Sequence, residues 1–248
     1  MRELLLIGIG VGDPDQVTVQ AVKAMNTADV FFVIGKGDEK QELVDLRTGL
    51  LAEHVTHPHR VVDIVDPPRD RTPSDYRGVV EDWHEKRAAL FETEFAATGE
   101  DVGAILVWGD PALYDSTIRI VERVLARGNV TFEWSVVPGV TSVHALAAAH
   151  RTVLHRVGEP IHITTGRRLA EGLPDGIDNV VVMLDAHCTF TQVPGDDVHI
   201  WWGAYLGTPD EVLVSGNLRE VEEQIVRVRA ELRARKGWIM DTYMLRRG

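Results

Sequence analysis

The chain has 248 residues, of which 44% are hydrophobic and 26% are charged. This composition is typical of a soluble globular protein, and the length allows one large domain or two of ordinary size. No stretch approaches eighteen consecutive apolar residues, so the sequence predicts no membrane span. The formal net charge of −12 argues against a protein that binds nucleic acid duplexes, because such a protein needs a basic face toward the phosphates.

The single cysteine and the N-terminal residues indicate where the protein resides. Cys188 has no second cysteine to pair with, which excludes an intramolecular disulfide and disfavours a cysteine-based zinc site. The apolar run at residues 4–7 is interrupted at once by Gly8 and Gly10, whereas a secretory signal needs a longer apolar stretch with a basic flank. We therefore expect a cytoplasmic protein that opens with a buried strand.

Strands and helices alternate in the first half of the chain. Strands are predicted at residues 3–9, 30–34 and 104–108, and helices at residues 18–28, 75–97 and 116–126. Thr18 is the expected N-cap of the first helix, and Gly128 follows the third helix as a left-handed C-cap. Residues 38–98 are rich in proline and charge and are predicted to be irregular outside their one helix, as functional or mobile segments often are.

The second half repeats the alternation with more strands. Strands are predicted at residues 132–137, 160–164, 179–184, 198–202, 211–215 and 238–245, and helices at residues 141–149 and 218–236. The pattern indicates the α/β class, with a more mixed sheet in the second half. We place the domain boundary after Gly128, which gives an N-terminal α/β domain over residues 1–128 and a C-terminal α/β domain over residues 129–248.

The first strand ends in a glycine-rich turn, residues 8–14 (GIGVGDP). The turn lacks the third glycine of a dinucleotide fingerprint, because Asp13 stands there. A carboxylate at that position would repel a pyrophosphate, and Pro14 has no N–H to bind one. A nicotinamide oxidoreductase is therefore disfavoured, and a tight turn that needs positive φ remains the simpler interpretation.

Two later turns also follow predicted strands, where ligand sites of α/β proteins gather. Residues 108–117 (WGDPALYDST) combine a glycine that lets a ligand approach with a proline that stiffens the turn. Asp110 or Asp115 could favour a cationic ligand by Coulomb attraction, although both could equally belong to a plain turn and helix cap. Residues 137–143 (VPGVTSV) lead into a small-residue helix that Thr141 or Ser142 can cap.

Two more segments complete an ordered pattern: residues 181–184 (VVML) and residues 207–218 (GTPDEVLVSGNL). Together with the three turns they resemble the tetrapyrrole methylase family. Its members open with a Gly-x-Gly-x-Gly-Asp-Pro turn, continue with a central Gly-Asp-Pro loop that ends in an aromatic residue, and then carry a Pro-Gly motif, a strand with a methionine and a closing motif. Five ordered matches over nearly the whole chain are far more specific than any one of them.

The resemblance implies two α/β domains, a homodimer, and S-adenosylmethionine as the cofactor in the cleft between the domains. Carried over by position, the cofactor contacts are Pro14, Gly109, Asp110, Leu113, Thr141, Ser142, Met183 and, where the match is loose, Leu206. Many relatives have an aspartate just after the second strand, but this chain has Gly35 there. A role that depends on that aspartate is not transferred.

Further details resemble one branch of the family, which methylates C-1 of the corrin precursor precorrin-5 and releases acetate. They lie in residues 66–71 (DPPRDR), Tyr76, residues 83–87 (WHEKR), residues 108–117 and residues 203–209 (GAYLGTP). The resemblance therefore implies a tetrapyrrole substrate. Since such a substrate carries many carboxylates, guanidinium groups are the expected partners, and the candidates are Arg69, Arg71 and Arg87.

Methyl transfer to an electron-rich carbon needs alignment and desolvation more than a strong base. The release of acetate requires an activated water, and the candidates by chemical type are Asp13, His84, Tyr114 and Asp115. Each could instead serve a turn, a cap or a solvated face. His54, His57 and His59 lack regularly spaced acidic or cysteine partners, so we interpret them as part of a loop and predict no metal site.

Three alternatives stay open. The first is a methyltransferase of the same family with another acceptor, such as another precorrin position, ribosomal RNA or a modified histidine; the acidic net charge weighs against RNA. The second is the nicotinamide oxidoreductase. The third is a cofactor-binding module without catalysis.

Overall fold

A computed structural model of the chain describes residues 1–35, 41–68, 76–99, 101–173 and 176–248. The chain divides into two compact units. The first comprises Met1–Gly10 and Pro14–Val140, and the second comprises Val11–Asp13 and Thr141–Gly248. In the described part of the chain, no helix is both long and apolar enough to cross a membrane.

The first unit contains a parallel five-stranded sheet with helices on both faces. Its strands are β1 (Glu3–Gly8), β2 (Val30–Gly35), β3 (Arg60–Val65), β4 (Val102–Val107) and β5 (Glu133–Val137). Its helices are α1 (Val19–Met25), α2 (Gln41–His54), α3 (Tyr76–Ala97) and α4 (Thr117–Ala126). The strand order is β3-β2-β4-β1-β5, and every pairing is parallel.

The central strands are continuous apolar runs because both faces of the sheet are covered. β4 is buried along its whole length. One face packs in a core with Phe91 of α3 and Val124 of α4, and the other packs in a core with Met25 of α1 and Leu51 of α2. This is the arrangement expected of a parallel sheet in an α/β unit.

Strands β2 and β4 pair only near their starts and then diverge. They pair only at Val30 with Gly103 and at Phe31 with Ala104, whereas β2 pairs with β3 over six residues. From β2 the chain continues to one edge of the sheet, and from β4 it continues to the other edge. Ligand crevices of α/β sheets form at such divergence points, at the carboxyl ends of the strands.

The second unit contains a mixed sheet in the order β6-β7-β10-β8-β9. Its strands are β6 (His162–Thr165), β7 (Asn179–Met183), β8 (Val198–Ala204), β9 (Val212–Asn217) and β10 (Asp241–Arg247), and its helices are α5 (Ser142–Ala149), α6 (Gly166–Leu169) and α7 (Leu218–Lys236). β6 and β7 pair in parallel, and the other pairs are antiparallel. Trp202, Phe190 and Tyr243 lie in its buried core.

Two sequence-based expectations need correction. The boundary lies after Val140, not after Gly128, because β5 pairs with β1 and completes the first sheet. The segment over residues 38–98 is also less irregular than expected, since it contains α2 and β3. The strand β3 was missed because five of its six residues are exposed or half-buried, which leaves no apolar alternation to recognise.

Candidate functional site

The three turns singled out in the sequence converge in the first unit. The turn after β1 and the turn after β4 form a bridge, in which the amide nitrogen of Gly109 donates to the carbonyl oxygen of Gly10 at 2.7 Å. A Cβ on Gly8 would lie 2.6 Å from the amide nitrogen of Gly139 and 2.8 Å from the carbonyl oxygen of Gly109. The carboxyl ends of β1, β4 and β5 therefore approach one another closely because these glycines have no side chains.

Asp110 fixes this meeting point. One carboxylate oxygen accepts a bond from the amide of Ala112 at 2.8 Å, and the other accepts a bond from the amide of Gly139 at 2.8 Å. Both oxygens thus bind backbone donors, one in its own turn and one in the turn after β5. The carboxylate shapes the loop while leaving its negative charge at the carboxyl edge of the sheet.

At the end of the loop after β4, Asp115 and Tyr114 differ in role, although both were predicted as candidates to activate water. Asp115 accepts a bond from the amide of Thr117 at 2.6 Å and so caps α4, whereas Ser116 makes no side-chain cap. Tyr114 adopts a left-handed backbone with φ of 51° and is 45% exposed. Burial of its hydroxyl raises the pKa of Tyr114, so this phenol stays protonated at neutral pH and can donate a hydrogen bond.

Arg47 of α2 is a residue that the sequence analysis missed. Its Nε donates to the carbonyl oxygen of Leu106 at 3.2 Å, at the end of β4 where β2 has turned away. Burial lowers the pKa of Arg47, and the Asp115 carboxylate partly offsets this effect. Leu50 and Leu51 follow three and four residues later, so the spacing would have placed Arg47 on the buried side of a helix.

Two predicted residues of α3 are buried rather than open to a ligand. Arg87 is 6% exposed, binds Asp66 through two bonds of 2.7 Å, and stacks its guanidinium over the Trp83 ring at 3.8 Å. His84 is 5% exposed, and burial, followed by the positive charge of Arg123, lowers its pKa. We therefore correct both assignments: Arg87 anchors the segment after β3, and His84 is a neutral side chain packed inside.

Other predicted residues of the first half keep an open role. Pro14 is exposed and begins a short 3-10 turn, and Asp13 before it is half-buried. Arg69 and Arg71 lie outside the described residues. His54 ends α2, and His57 and His59 lie between α2 and β3; the described ranges contain no group of three or more histidine, cysteine, aspartate or glutamate side chains able to hold a metal ion.

In the second unit the predicted hydroxyl residues cap and brace α5. Thr141 is the N-cap, and its Oγ1 accepts a bond from the amide of His144. The Ser142 hydroxyl accepts a bond of 3.2 Å from the Thr242 hydroxyl of β10. Both residues are half-buried at the start of the helix, where backbone N–H groups point outward.

Met183 and Leu206 occupy two strand ends of the same sheet. Met183 is the last residue of β7 and is half-buried. Leu206 follows β8 and is 5% exposed, with its side chain packed against the bare backbone of Gly203. The side chain of Leu206 is therefore packed inside the unit, and its contact with the cofactor stays a prediction.

Left-handed backbone occurs beside three of the eight predicted cofactor contacts. Of the five non-glycine residues with positive φ among those described, three directly follow or precede a predicted contact: Tyr114 after Leu113, Leu184 after Met183, and Tyr205 before Leu206. Such strained conformations cost free energy and concentrate at functional sites. The pattern supports a ligand role for these three loops.

Comparison with known proteins agrees with the fold and the motifs. The family model for Tetrapyrrole (Corrin/Porphyrin) Methylases matches residues 3–222. The chain is 50% identical to the curated precorrin-6A synthase [deacetylating] of Sinorhizobium sp, over 100% of this chain and 96% of that protein. It is 30% identical to the precorrin-2 C(20)-methyltransferase of Sinorhizobium sp, over 56% of this chain and 54% of that protein.

Solved structures show the same architecture. The crystal structure of a putative cobalamin synthesis related protein (CobF) from Corynebacterium diphtheriae is similar with a TM-score of 0.87 and 36% identity, over 100% of this chain and 99% of that one. The uroporphyrin-III C-methyl transferase of Thermus thermophilus complexed with S-adenyl homocysteine has a TM-score of 0.61 at 21% identity, over 98% and 96% of the two chains, and supports the fold. The chain belongs to the tetrapyrrole (corrin/porphyrin) methylase family.

Proposed function

We propose that the chain is an S-adenosylmethionine-dependent methyltransferase of cobalamin biosynthesis that methylates C-1 of precorrin-5 and releases acetate to give precorrin-6A. The observation that carries this proposal is the 50% identity, along the full length, to a curated precorrin-6A synthase [deacetylating]. Less similar family members are named for other reactions, one as a precorrin-2 C(20)-methyltransferase and one as a uroporphyrinogen-III C-methyltransferase. The activity proposed is therefore that of the most similar relative named here.

We infer that the cofactor binds Pro14, Gly109, Asp110, Leu113, Thr141, Ser142, Met183 and the backbone of Leu206. The site fits this group in two respects. The glycine backbones at Gly8, Gly109 and Gly139 pack against one another without side chains and so fix the loop proposed to hold the donor, and the carboxylates of Asp110 and Asp115 favour a positively charged sulfonium. When bound, S-adenosylmethionine supplies an activated methyl group on that sulfur.

The residues of the chain then have two tasks. The turns after β1, β4 and β5 hold the donor, and their fixed backbone keeps it aligned with the acceptor carbon, which contributes more to the rate than a base would. For the release of acetate we propose Asp13 to accept a proton from water and Tyr114 to donate a hydrogen bond from its protonated hydroxyl. Asp115 is already the cap of α4, and the buried His84 cannot reach a substrate.

We further propose Arg69 and Arg71 as partners of the substrate's carboxylates. In the sequence, Arg69 and Arg71 follow Asp66 by three and five residues, and Arg87 anchors Asp66. We also infer a homodimer in the cytoplasm, consistent with the family resemblance and with a chain that has one cysteine. Light scattering after size-exclusion chromatography tests the dimer, with a mass of one chain as the contrary result.

Transfer of a labelled methyl group tests the function. The protein is incubated with methyl-labelled S-adenosylmethionine and, separately, with precorrin-5, an earlier precorrin and a ribosomal RNA fragment. We expect label in the precorrin-5 product alone, together with free acetate. Label in another acceptor would favour a different member of the family, and donor binding without any transfer would favour a non-catalytic module.

A further inference from the structure

A buried polar cluster in the second unit surrounds Asp185, two residues beyond Met183. The Asp185 side chain is bonded by four donors: the hydroxyl of Tyr243 at 2.7 Å, the amide and hydroxyl of Thr189 at 2.6 and 2.8 Å, and the amide of His187 at 2.9 Å. The residue is only 5% exposed. Four donors saturate the lone pairs that a carboxylate offers.

The backbone of Asp185 is held as firmly as its side chain. Its carbonyl oxygen accepts a bond from Arg229 of α7 at 2.7 Å. Arg229 is in turn paired with Asp241 of β10 at 2.8 Å, and Asp241 also receives the indole N–H of Trp202 at 3.0 Å. Asp185 is therefore tied to α7, to β10 and to the turn over residues 187–189.

The neighbouring helix α6 is built to admit this carboxylate. A Cβ on Gly166 would lie 2.5 Å from the Cγ of Asp185. Real Cβ atoms do not approach so closely, so a residue with a side chain here would displace the carboxylate from its donors. The position of Asp185 is thus fixed from a second direction.

The fixed position of Asp185 accounts for the backbone of Leu184, the residue between Met183 and Asp185. Leu184 has a left-handed backbone with φ of 55°, and its side chain is 66% exposed. A left-handed backbone is unfavourable for a residue with a Cβ. An exposed leucine gains no burial that would offset this cost, so the conformation depends on the bonds made by its neighbour Asp185.

We propose that Asp185 is a positioning residue for the methyl donor. It locks the turn over residues 183–185 so that Met183 and Leu184 present a fixed apolar surface to the donor, and it makes no donor contact itself. The inference rests on the proposed function, because it assumes that Met183 contacts S-adenosylmethionine.

Asp185→Asn tests the inference with the least change in shape. The amide keeps one acceptor oxygen, but its NH₂ group must face the backbone N–H of either Thr189 or His187, which opens the turn. We expect the dissociation constant for S-adenosylhomocysteine, measured by calorimetry, to rise about tenfold or more, a change that corresponds to the loss of a single well-placed contact. The KM for the donor should rise likewise, with kcat at saturating donor within about twofold.

The control is Ile225→Val, which removes volume from the hydrophobic core of the same unit and leaves the Asp185 bonds intact. It should lower the unfolding temperature while donor affinity stays unchanged. If Asp185→Asn does not fold, Tyr243→Phe decides, since it removes one of the four donors and keeps the other three; a several-fold weaker affinity is expected.

The outcomes separate the two proposals. Failure of the unaltered protein to bind S-adenosylhomocysteine would overturn the proposed function. Normal binding by the unaltered protein together with equal binding by Asp185→Asn, or by Tyr243→Phe where it is the variant that folds, would overturn the positioning role. A loss of affinity in Ile225→Val as large as in the Asp185 variant would also overturn it, because general destabilisation would then be sufficient.

Discussion

The carboxylate of Asp110 and the amide nitrogen of Gly139 lie 2.8 Å apart, so the loop after β4 is bonded to the turn after β5. Because β1 lies between these two strands in the sheet, the bond passes over the end of β1. Gly8 and Gly139 make this possible by having no side chains. The proposed donor loop is therefore positioned by a carboxylate and two glycines.

Asp110→Asn should weaken this arrangement. The amide oxygen can accept from Ala112 or from Gly139 but the NH₂ group opposes the other backbone donor, so we expect a loss of about 1–3 kcal/mol in the free energy of unfolding. Urea denaturation measures it. Asp82→Asn is the control, because the pair that Asp82 forms with Lys86 is exposed and contributes little to stability. Equal losses in the two variants would contradict the account.

Gly139→Ala should be more damaging than its size suggests. A Cβ at this position would lie 2.1 Å from the carbonyl oxygen of Gly109, a backbone atom that cannot move without breaking the bridge to Gly10. We expect the free energy of unfolding to fall by roughly 2–4 kcal/mol, as for other overpacked sites. Gly49→Ala provides the comparison, since a Cβ there meets nothing within 4 Å and alanine favours the helix. A folded and fully stable Gly139→Ala protein would refute the close packing of the turns.

The bidentate pair between Arg87 and Asp66 should matter for stability and not for substrate affinity. Removal of one partner leaves a buried charge alone, so Arg87→Met should cost about 3 kcal/mol, measured by urea denaturation. Lys86→Met is the matched change on the same helix, because its pair with Asp82 is exposed and should contribute less than about 1 kcal/mol. A specific increase of the KM for the tetrapyrrole in a fully stable Arg87→Met protein would instead restore Arg87 as a substrate ligand.

His84 should make the folded state sensitive to acid. Burial lowers its pKa in the folded protein, so the unfolded chain takes up a proton near the ordinary histidine pKa of about 6.5 while the folded protein stays neutral. Stability from this group is therefore present above that pH and is lost as the pH falls toward the lower folded pKa. Urea titrations at several values between pH 8 and 5 should show a decline that His84→Gln reduces. An identical decline in the variant would show that His84 is not its source.

The sequence predicted those parts of the molecule that depend on short-range signals. The glycine turns, the Thr18 and Thr141 caps and the left-handed Gly128 were all identifiable, because backbone conformation restricts which residues can stand there, and the structure confirms them. The strand β5 was assigned to the wrong domain because its partner, β1, is more than a hundred residues away. Local patterns carry no information about such pairing.

Side-chain partners proved hardest to foresee. Arg87 was predicted as a ligand by its charge alone, but Asp66 lies twenty-one residues earlier and becomes its partner only once β3 and α3 are packed. Asp185 was not predicted as a site residue, because its four hydrogen-bond donors come from Thr189, His187 and the distant Tyr243. Residue type indicates which interactions a side chain can make, and only the fold determines with which neighbour it makes them.

The ratio of acetate released to methyl groups transferred is the sharpest test of the proposed activity. Methyl-labelled S-adenosylmethionine and precorrin-5 are incubated with the protein, and both products are quantified by mass spectrometry over the same time course. We expect one acetate for each methyl group, with neither product formed when the donor is omitted. Methylated product without acetate, or no methyl transfer to precorrin-5 at all, would contradict it.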